Sequence, residues 1–321
     1  MKRTREFQRP SCNVDVAVVV PCYNAEQTLA AAVRSVLDQS VATDLVVVDD
    51  GSNDGTLALA RTFGPDVRIL SGPNQGVSAA RNRGIAATKA EWLLFLDADD
   101  FLMPGTLGKR LETASTTEAE VIICEWQDVF DDCRGTISGG QCHSIDWFAL
   151  KRDPELATAT HVWATTSAIM YRRHVVERIG GFRRDLPVIQ DARFLFDAIY
   201  HGARIARSPH IGANYRILPG SLSRRSPAQF WADVLRNGQQ IEKLWSAKGA
   251  LRKDRRRAAA EIYNNAARGL FAAADPRYFE AVKARRRLGL PDTLHSKLAT
   301  PLAHVLGLHG ARNLLRLINR T

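Results

Sequence analysis

The chain has 321 residues, 45% hydrophobic and 24% charged, with a formal net charge of +10. That is the make-up of an ordinary soluble globular protein, long enough for one large domain with an appendage or for two domains. It excludes a membrane-spanning chain, since no run reaches the roughly 18 apolar residues a bilayer requires.

Other classes fall away on detail. The basic start, Met1 to Pro10, lacks the apolar stretch of a secretory signal, so a cytosolic protein is expected. Five cysteines (Cys12, Cys22, Cys124, Cys133, Cys142) form no CxxC pair, which argues against a zinc site or a disulfide framework. The charge is uneven. Ser221 to Thr321 holds 20 Lys+Arg against 7 Asp+Glu, so the whole basic excess sits in the last third. It reads as a solvated Arg-rich helical surface or as a contact for an anionic membrane, with nucleic acid well behind.

Along the chain, strand and helix alternate. Val14 to Val20 is a continuous β-branched run closed by Pro21, as a strand buried on both faces should be. Glu26 to Gln39 reads as a helix with Leu29, Val33, Val36 and Leu37 on one face. Leu45 to Val48 is a second strand, closed by Asp49-Asp50-Gly51-Ser52, and Asp54 can cap a helix to about Phe63. Val67 to Leu70 is a third strand, Gly76 to Lys89 a third helix, and Trp92 to Leu96 a fourth strand ending in Asp97-Ala98-Asp99-Asp100. Pro104 sits near the start of the next helix. This series demands a mostly parallel sheet with helices on its faces.

The middle is less regular. Val121 to Trp126, Asp128 to Phe130 and Ala168 to Tyr171 read as strands. Asp131 to Gln141, rich in Gly and Asp, reads as an exposed loop, and the stretch to Thr160 could close over a substrate as a lid. Arg173 to Ile179 and Gln190 to His201 read as helices ended by Gly180-Gly181 and Gly202. From about Pro227 the spacing is helical throughout. The expected division is a tail (1–13), a catalytic domain (14–225, with halves 14–107 and 108–225) and a basic helical extension (226–321).

Ligands of a parallel α/β sheet bind beyond the carboxyl ends of its strands. Three such ends here deliver Tyr23 and five or six carboxylates to one edge. Crowded carboxylates raise one another's pKa unless compensated, most simply by a divalent cation. Hard oxygen ligands without His or Cys favour Mg²⁺ or Mn²⁺, completed by substrate phosphates. A single Asp among them, Asp54 or Asp100 for instance, reads better as a cap or turn former. There is no GxGxxG after the first strand and no GxxxxGK[ST] anywhere, so dinucleotide-fingerprint enzymes and P-loop NTPases are poor readings.

The segments VAVVVPCYNAEQTLAAAVRSVLDQS, LVVVDDGSNDGT and NQGVSAARNRGIAATKAEWLLFLDADDFLMP resemble family-2 glycosyltransferases, inverting metal-dependent enzymes of the glycosyltransferase-A type fold. The resemblance is dense from Val14 to about Leu107 and resumes from Trp163 to about Arg224. It implies that Pro21, Tyr23 and Asp50 contact the nucleotide base, with Asp49 close by. A ring can stack on a base, and a carboxylate can accept the imide N–H of uracil. It implies that Asp97-Ala98-Asp99 is the DxD motif, Asp97 approaching ribose or metal and Asp99 holding the metal (Mg²⁺ or Mn²⁺) on the diphosphate. Arg81 would lie near the donor, a surface arginine with a structural partner being its plain alternative.

In the acceptor half, WATTSAIMYRRHVVERIGGF resembles the approach to the family's catalytic Glu-Asp. This chain has Gln190-Asp191, and Asp191 is expected as general base, an N-cap being the alternative. The segment Tyr215 to Ser223 resembles YR-x-H-x-x-S-x-S, with Leu218 where the His is expected and Arg216 available to phosphate. The implied partners are a nucleotide-sugar donor, a UDP-sugar first, and a glycan or lipid-linked glycan acceptor. An anionic membrane surface could meet the C-terminal extension at the inner face of the plasma membrane; nucleic acid is not expected. A nucleotidyltransferase would need a Gly-rich basic loop after strand one, which PCYNAEQT is not. An inactive sugar-nucleotide-binding scaffold is the alternative from another class.

Overall fold

A computed structural model of the protein describes residues 15–131, 137–218, 225–291 and 293–318. In chain order its first elements are β1 (Val16–Cys22), α1 (Leu29–Leu37), β2 (Thr43–Asp49), α2 (Thr56–Arg61), β3 (Val67–Ser71), α3 (Val77–Ala87) and β4 (Trp92–Phe95). Then come β5 (Phe101–Leu102), α4 (Thr106–Thr116), β6 (Val121–Asp131), β7 (Ile137–His143), α5 (Trp147–Arg152) and α6 (Pro154–Thr160). Next are β8 (Ile169–Arg172), α7 (Arg173–Arg178), α8 (Gln190–Tyr200) and β9 (Ile205–Arg216). The last helices are α9 (Pro227–Ala247), α10 (Lys253–Ala272), α11 (Arg277–Arg287) and α12 (Leu294–Ile318).

The chain clusters into two compact units, one of residues 1–144, 165–181 and 203–216, the other of 145–164, 182–202 and 217–321. The first holds the whole sheet, in the order β3-β2-β1-β4-β8-β6-β9-β5, with β7 paired to β6. Strands β3, β2, β1 and β4 run parallel; β8 lies antiparallel between β4 and β6. All seven residues of β1 are buried, which accounts for its unbroken apolar run. On one face Val16, Val18 and Val20 meet Leu29, Ala32, Val33 and Val36 of α1. On the other, α3 lies so close that a Cβ at Gly84 would stand 2.3 Å from Val19 Cγ1. Glycine is the residue that admits this approach, despite its low helix propensity.

Several sequence expectations need correction. Asp131 to Gln141 is no simple loop: among its described residues, 137–141 belong to β7, antiparallel to β6. At Gly140 a Cβ would come 2.7 Å from the Phe130 ring, so the glycines that suggest a loop let this strand pass an aromatic neighbour. The supposed lid to Thr160 is largely helical, α5 and α6 being capped by Asp146 and Asp153 through the amides of Ala149 (2.9 Å) and Leu156 (3.0 Å). The two expected middle strands are one, β6, with a register shift between Gln127 and Val129. The first helix starts at Leu29 rather than Glu26, because Glu26 reaches across to accept the amide of Gly55 at 3.0 Å.

A polar chain crosses the sheet unit behind α4. His210 Nε2 lies 2.9 Å from the Thr106 hydroxyl, and its Nδ1 lies 3.1 Å from the Ser208 hydroxyl. Burial, then the Arg110 and Lys109 charges, holds the imidazole down to about 4. Because the folded value lies below that of the unfolded chain, folding favours the neutral ring. Its contribution is full above about pH 6.5 and is lost as pH falls toward 4. We expect wild-type melting temperature to decline across that window by the equivalent of about 2 kcal/mol, discounted for partial exposure. His210→Gln should flatten the decline in a pH series of thermal melts; an unchanged slope would remove His210 from the account.

The second unit is built from α5, α6, α8 and α9 to α12. Its main core is rich in alanine, with Ala259, Ala266, Ala267 and Leu270 of α10 against Tyr278 and Ala281 of α11. Small side chains let the helices approach closely, and the Trp231 ring lies where a Cβ at Gly269 would come within 2.1 Å. The stretch 228–275 thus packs into a core of its own. No helix among the described residues is long and apolar enough to cross a membrane.

Candidate active site

The parallel strands β1, β2 and β4 end side by side. Cys22 is the register partner of Asp49, and Val19 that of Phe95, so the residues after each strand meet at one edge. Pro21 is buried within β1, while Tyr23 just beyond it is 45% exposed. Asn24, with a positive φ of 50°, turns the chain. Its amide donates to the Ser52 hydroxyl at 3.0 Å, and its side-chain oxygen accepts the Asn53 amide at 2.8 Å. The two loops are thereby laced together, and the Tyr23 ring is held at the rim. Gly51 permits the β2 turn: its φ is 78°, and a Cβ there would stand 2.7 Å from the Asn74 amide.

Asp49 and Asp50 are both buried. Asp49 accepts the Ser52 amide at 3.2 Å and the Ser71 hydroxyl at 2.9 Å. Asp50 accepts the Gln75 amide at 3.1 Å and the Gly76 amide at 2.8 Å, at the entry to α3. The Arg83 guanidinium stands 3.8 Å from Asp50 and donates to the Asp49 carbonyl at 3.0 Å. A carboxylate offers about four acceptor sites, so Asp50 keeps capacity for a further donor. Asp54, expected as a cap, stands one residue before the cap position, which is Gly55, and accepts the Thr56 amide at 3.0 Å.

The Asp97–Asp100 turn follows β4. Arg81 is no surface residue: it is 1% exposed, and its Nη2 donates to Asp97 Oδ1 at 2.5 Å. The other Asp97 oxygen accepts from the Thr166 hydroxyl at 3.3 Å. Arg216, at the end of β9, holds the turn by donating through Nε to the Asp99 carbonyl at 2.9 Å. Asp100 is wholly enclosed and accepts the Arg216 amide (3.0 Å) and the hydroxyls of Thr165 (3.3 Å) and Ser167 (3.2 Å). Burial, with Asp99 and Asp97 beside it, pushes this carboxyl well above its ordinary range.

Compensation of the carboxylates is therefore partly internal, supplied by Arg81 and Arg83. Asp99 is different. No side chain among the described residues donates to its carboxylate, and burial followed by the Asp97 charge pushes it up to about 6. Arg216 and Arg81 offset the crowding only in part, and hard oxygen donors of this kind fit Mg²⁺ or Mn²⁺. Among the described residues no three His, Cys, Asp or Glu groups gather as a metal site. Two carboxylates completed by substrate phosphates is a usual arrangement for Mg²⁺.

Asp191 and Gln190 lie in the second unit. Asp191 stands in the first turn of α8 rather than at the cap, which is Ile189, and accepts the Ala192 amide at 2.8 Å. Gln190 is 4% exposed, with no partner for its side-chain oxygen among the described residues. Further along α8, Arg193 binds Asp197 at 2.7 Å, so Asp197 is tied up in structure. Leu218 follows β9, and Pro219 to Ser223 lie outside the described residues. Sequence reasoning missed Thr166, Ser71 and Arg83 as supports; Arg83 and Thr166 lay within segments that carry the resemblance, and Ser71 lay outside them.

The sequence profile described as Glycosyl transferase family 2 matches residues 17–180, just over half of the chain. The chain belongs to this family. Among curated relatives it is 31% identical over 224 residues to the succinoglycan biosynthesis protein ExoO of Rhizobium meliloti, covering 65% of this chain and 63% of that one. It is 25% identical over 217 residues to the putative glycosyltransferase EpsH of Bacillus subtilis, with the same coverages of 65% and 63%. The match thus spans somewhat less than two thirds of either relative. Among solved structures, S. aureus TarS 1-349 in complex with UDP-GlcNAc aligns with a TM-score of 0.59 at 17% identity, covering 85% of this chain and 89% of that one. At that identity the likeness speaks for the fold, a mostly parallel, helix-flanked sheet of glycosyltransferase-A type.

Proposed function

We propose that this family-2 member transfers a sugar from a nucleotide-diphosphate sugar, a UDP-sugar first, to an acceptor hydroxyl with inversion. The observation that carries the reading is the convergence of Tyr23, Asp49, Asp50, Asp97 and Asp99 at the adjoining ends of three parallel strands. A half-exposed aromatic ring beside buried carboxylates suits a nucleobase with an imide N–H. The relative named for succinoglycan biosynthesis favours a product in cell-surface polysaccharide or glycolipid assembly. The TarS complex with UDP-GlcNAc favours uridine as the base.

In this reading Pro21, Tyr23 and Asp50 hold the base, with Asp49 alongside. Asp97 approaches the ribose or the metal with its carboxylate fixed by Arg81, and Arg216, which donates to the Asp99 carbonyl, is the contact for the diphosphate. Asp97 and Asp99 would hold Mg²⁺ or Mn²⁺, which when bound lends Lewis-acid neutralisation to the diphosphate. Asp191 takes the proton from the acceptor hydroxyl as that oxygen attacks the anomeric carbon opposite the leaving group. The new C–O bond forms while the bond to the diphosphate oxygen breaks, and a single in-line displacement inverts the centre.

The first test is a thermal-shift panel of UDP-, GDP- and dTDP-sugars, each with Mn²⁺, Mg²⁺ or EDTA. Binding to the native state raises the melting temperature by mass action, by the equivalent of about 2.7 kcal/mol at a hundredfold excess over Kd. We expect a metal-dependent shift with one nucleotide class. No shift with any donor would retire the donor site.

A further inference from the structure

The helix α12 is apolar on its inner and outer sides alike. Inward, Ala299, Ala303 and Ala311 are buried in the alanine-rich core, Leu302, Leu308 and Leu315 pack against it, and the Thr300 hydroxyl meets the Tyr278 hydroxyl at 2.8 Å. Other large side chains face outward. Leu298, Val305, Leu306, Leu314 and Leu317 are exposed, Val305 at 81%. These are five of the ten large apolar side chains exposed among the described residues, all within the 25 residues of α12 and its two arms. A surface helix ordinarily turns its apolar stripe to the core and its polar face to water. Here leucine and valine stand in water where alanine could have stood, so the face is suited to a partner.

Charge narrows the choice of partner. From Thr293 to Thr321 there is no Asp or Glu, while Lys297, Arg312, Arg316 and Arg320 are present. Elsewhere in the same unit Lys253, Arg256, Arg257, Lys283 and Arg286 are exposed. A second copy of the chain would set one strongly basic segment against another, 20 Lys+Arg to 7 Asp+Glu in each Ser221–Thr321 stretch. Nucleic acid would use the cations and leave the leucines without a function. An anionic bilayer uses both, apolar side chains in the acyl boundary and cations at the headgroups. The helix is also interrupted at Gly307, with φ of 69° and ψ of 168°, which suits lying on a surface in two arms.

We propose that the outward face of α12 seats the protein on an anionic phospholipid surface, with Leu298, Val305 and Leu306 of the first arm and Leu314 and Leu317 of the second entering the interface. This goes beyond the sugar-transfer reading and does not depend on it. The test is sedimentation of the full chain with vesicles of phosphatidylcholine alone or with about one-third phosphatidylglycerol. We expect binding to the anionic vesicles only, weakened when salt is raised to about 1 M, where screening acts within roughly 3 Å. The double variant Val305→Glu/Leu306→Glu, at exposed positions, should bind about tenfold less or weaker still while keeping the parent's circular dichroism and melting temperature. Absence of binding to anionic vesicles would overturn the proposal. So would equal binding by the double variant, which would mean that charge alone acts. A wild-type dimer in light scattering that the double variant converts to monomer would assign the face to a second copy instead.

Discussion

Asp191→Asn is expected to lower sugar transfer by about 10²–10⁴-fold while leaving donor binding intact. The substitution is nearly isosteric and keeps a carbonyl oxygen that can accept the Ala192 amide, now bonded at 2.8 Å, so the first turn of α8 should survive. What disappears is a group able to take the acceptor proton. The measurement pairs steady-state release of nucleoside diphosphate with the donor-induced thermal shift. Lost turnover with a retained shift is the signature of a base. Activity equal to wild type would strike Asp191 from the mechanism. A wild-type chain that binds donor but never turns over with any acceptor would favour the inactive scaffold.

The second large effect separates two carboxylates that a motif search treats alike. Asp97→Asn should cost about 3 kcal/mol of stability, because it strands the guanidinium of Arg81, which is 1% exposed. The low end of the range for buried pairs applies, since the Asp97 side chain is itself 33% exposed. Asp99→Asn removes no ion pair and relieves a crowded negative charge, so its stability should match wild type within about 1 kcal/mol. It should nonetheless abolish the Mn²⁺-dependent part of the donor shift. Thermal melts of both variants, with and without UDP-sugar and Mn²⁺, read the two effects apart. A full metal-dependent shift in Asp99→Asn would remove Asp99 as a ligand, whatever Asp97→Asn does to folding.

Much of the carboxylate-lined edge of the sheet was legible in the sequence because parallel strands buried on both faces are continuous apolar runs with sharp ends. Val16 to Val20, Leu45 to Val48 and Trp92 to Leu96 announce themselves; Asp49 and Asp97 mark the ends of the last two, whereas Pro21, expected to close the first, lies within β1, which runs on to Cys22. Where strands run parallel, their polar terminators must share an edge, so Tyr23 and the aspartates could be grouped before any coordinates existed. The Gly-rich stretch before His143 misled because composition alone cannot distinguish a loop from a strand that must clear Phe130. Glu26 misled in a related way, its carboxylate being recruited by Gly55, 29 positions later.

The sequence by itself determined the alternation of strand and helix, the family, the carboxylates at the strand ends and the basic character of the last third. Each of these follows from local pattern: side-chain period, turn chemistry and charge count. Tertiary structure alone decided which arginine neutralises which aspartate, for Arg81 is buried only once α3 lies on the sheet. It decided that Asp100 is enclosed by Thr165, Ser167 and Arg216, groups at least 65 positions away. It also decided which leucines of α12 face water, because Leu302, packed on the core, and Leu306, exposed, are alike in sequence. The choice between them rests on how closely neighbouring helices must approach, a property of packing that no single segment carries.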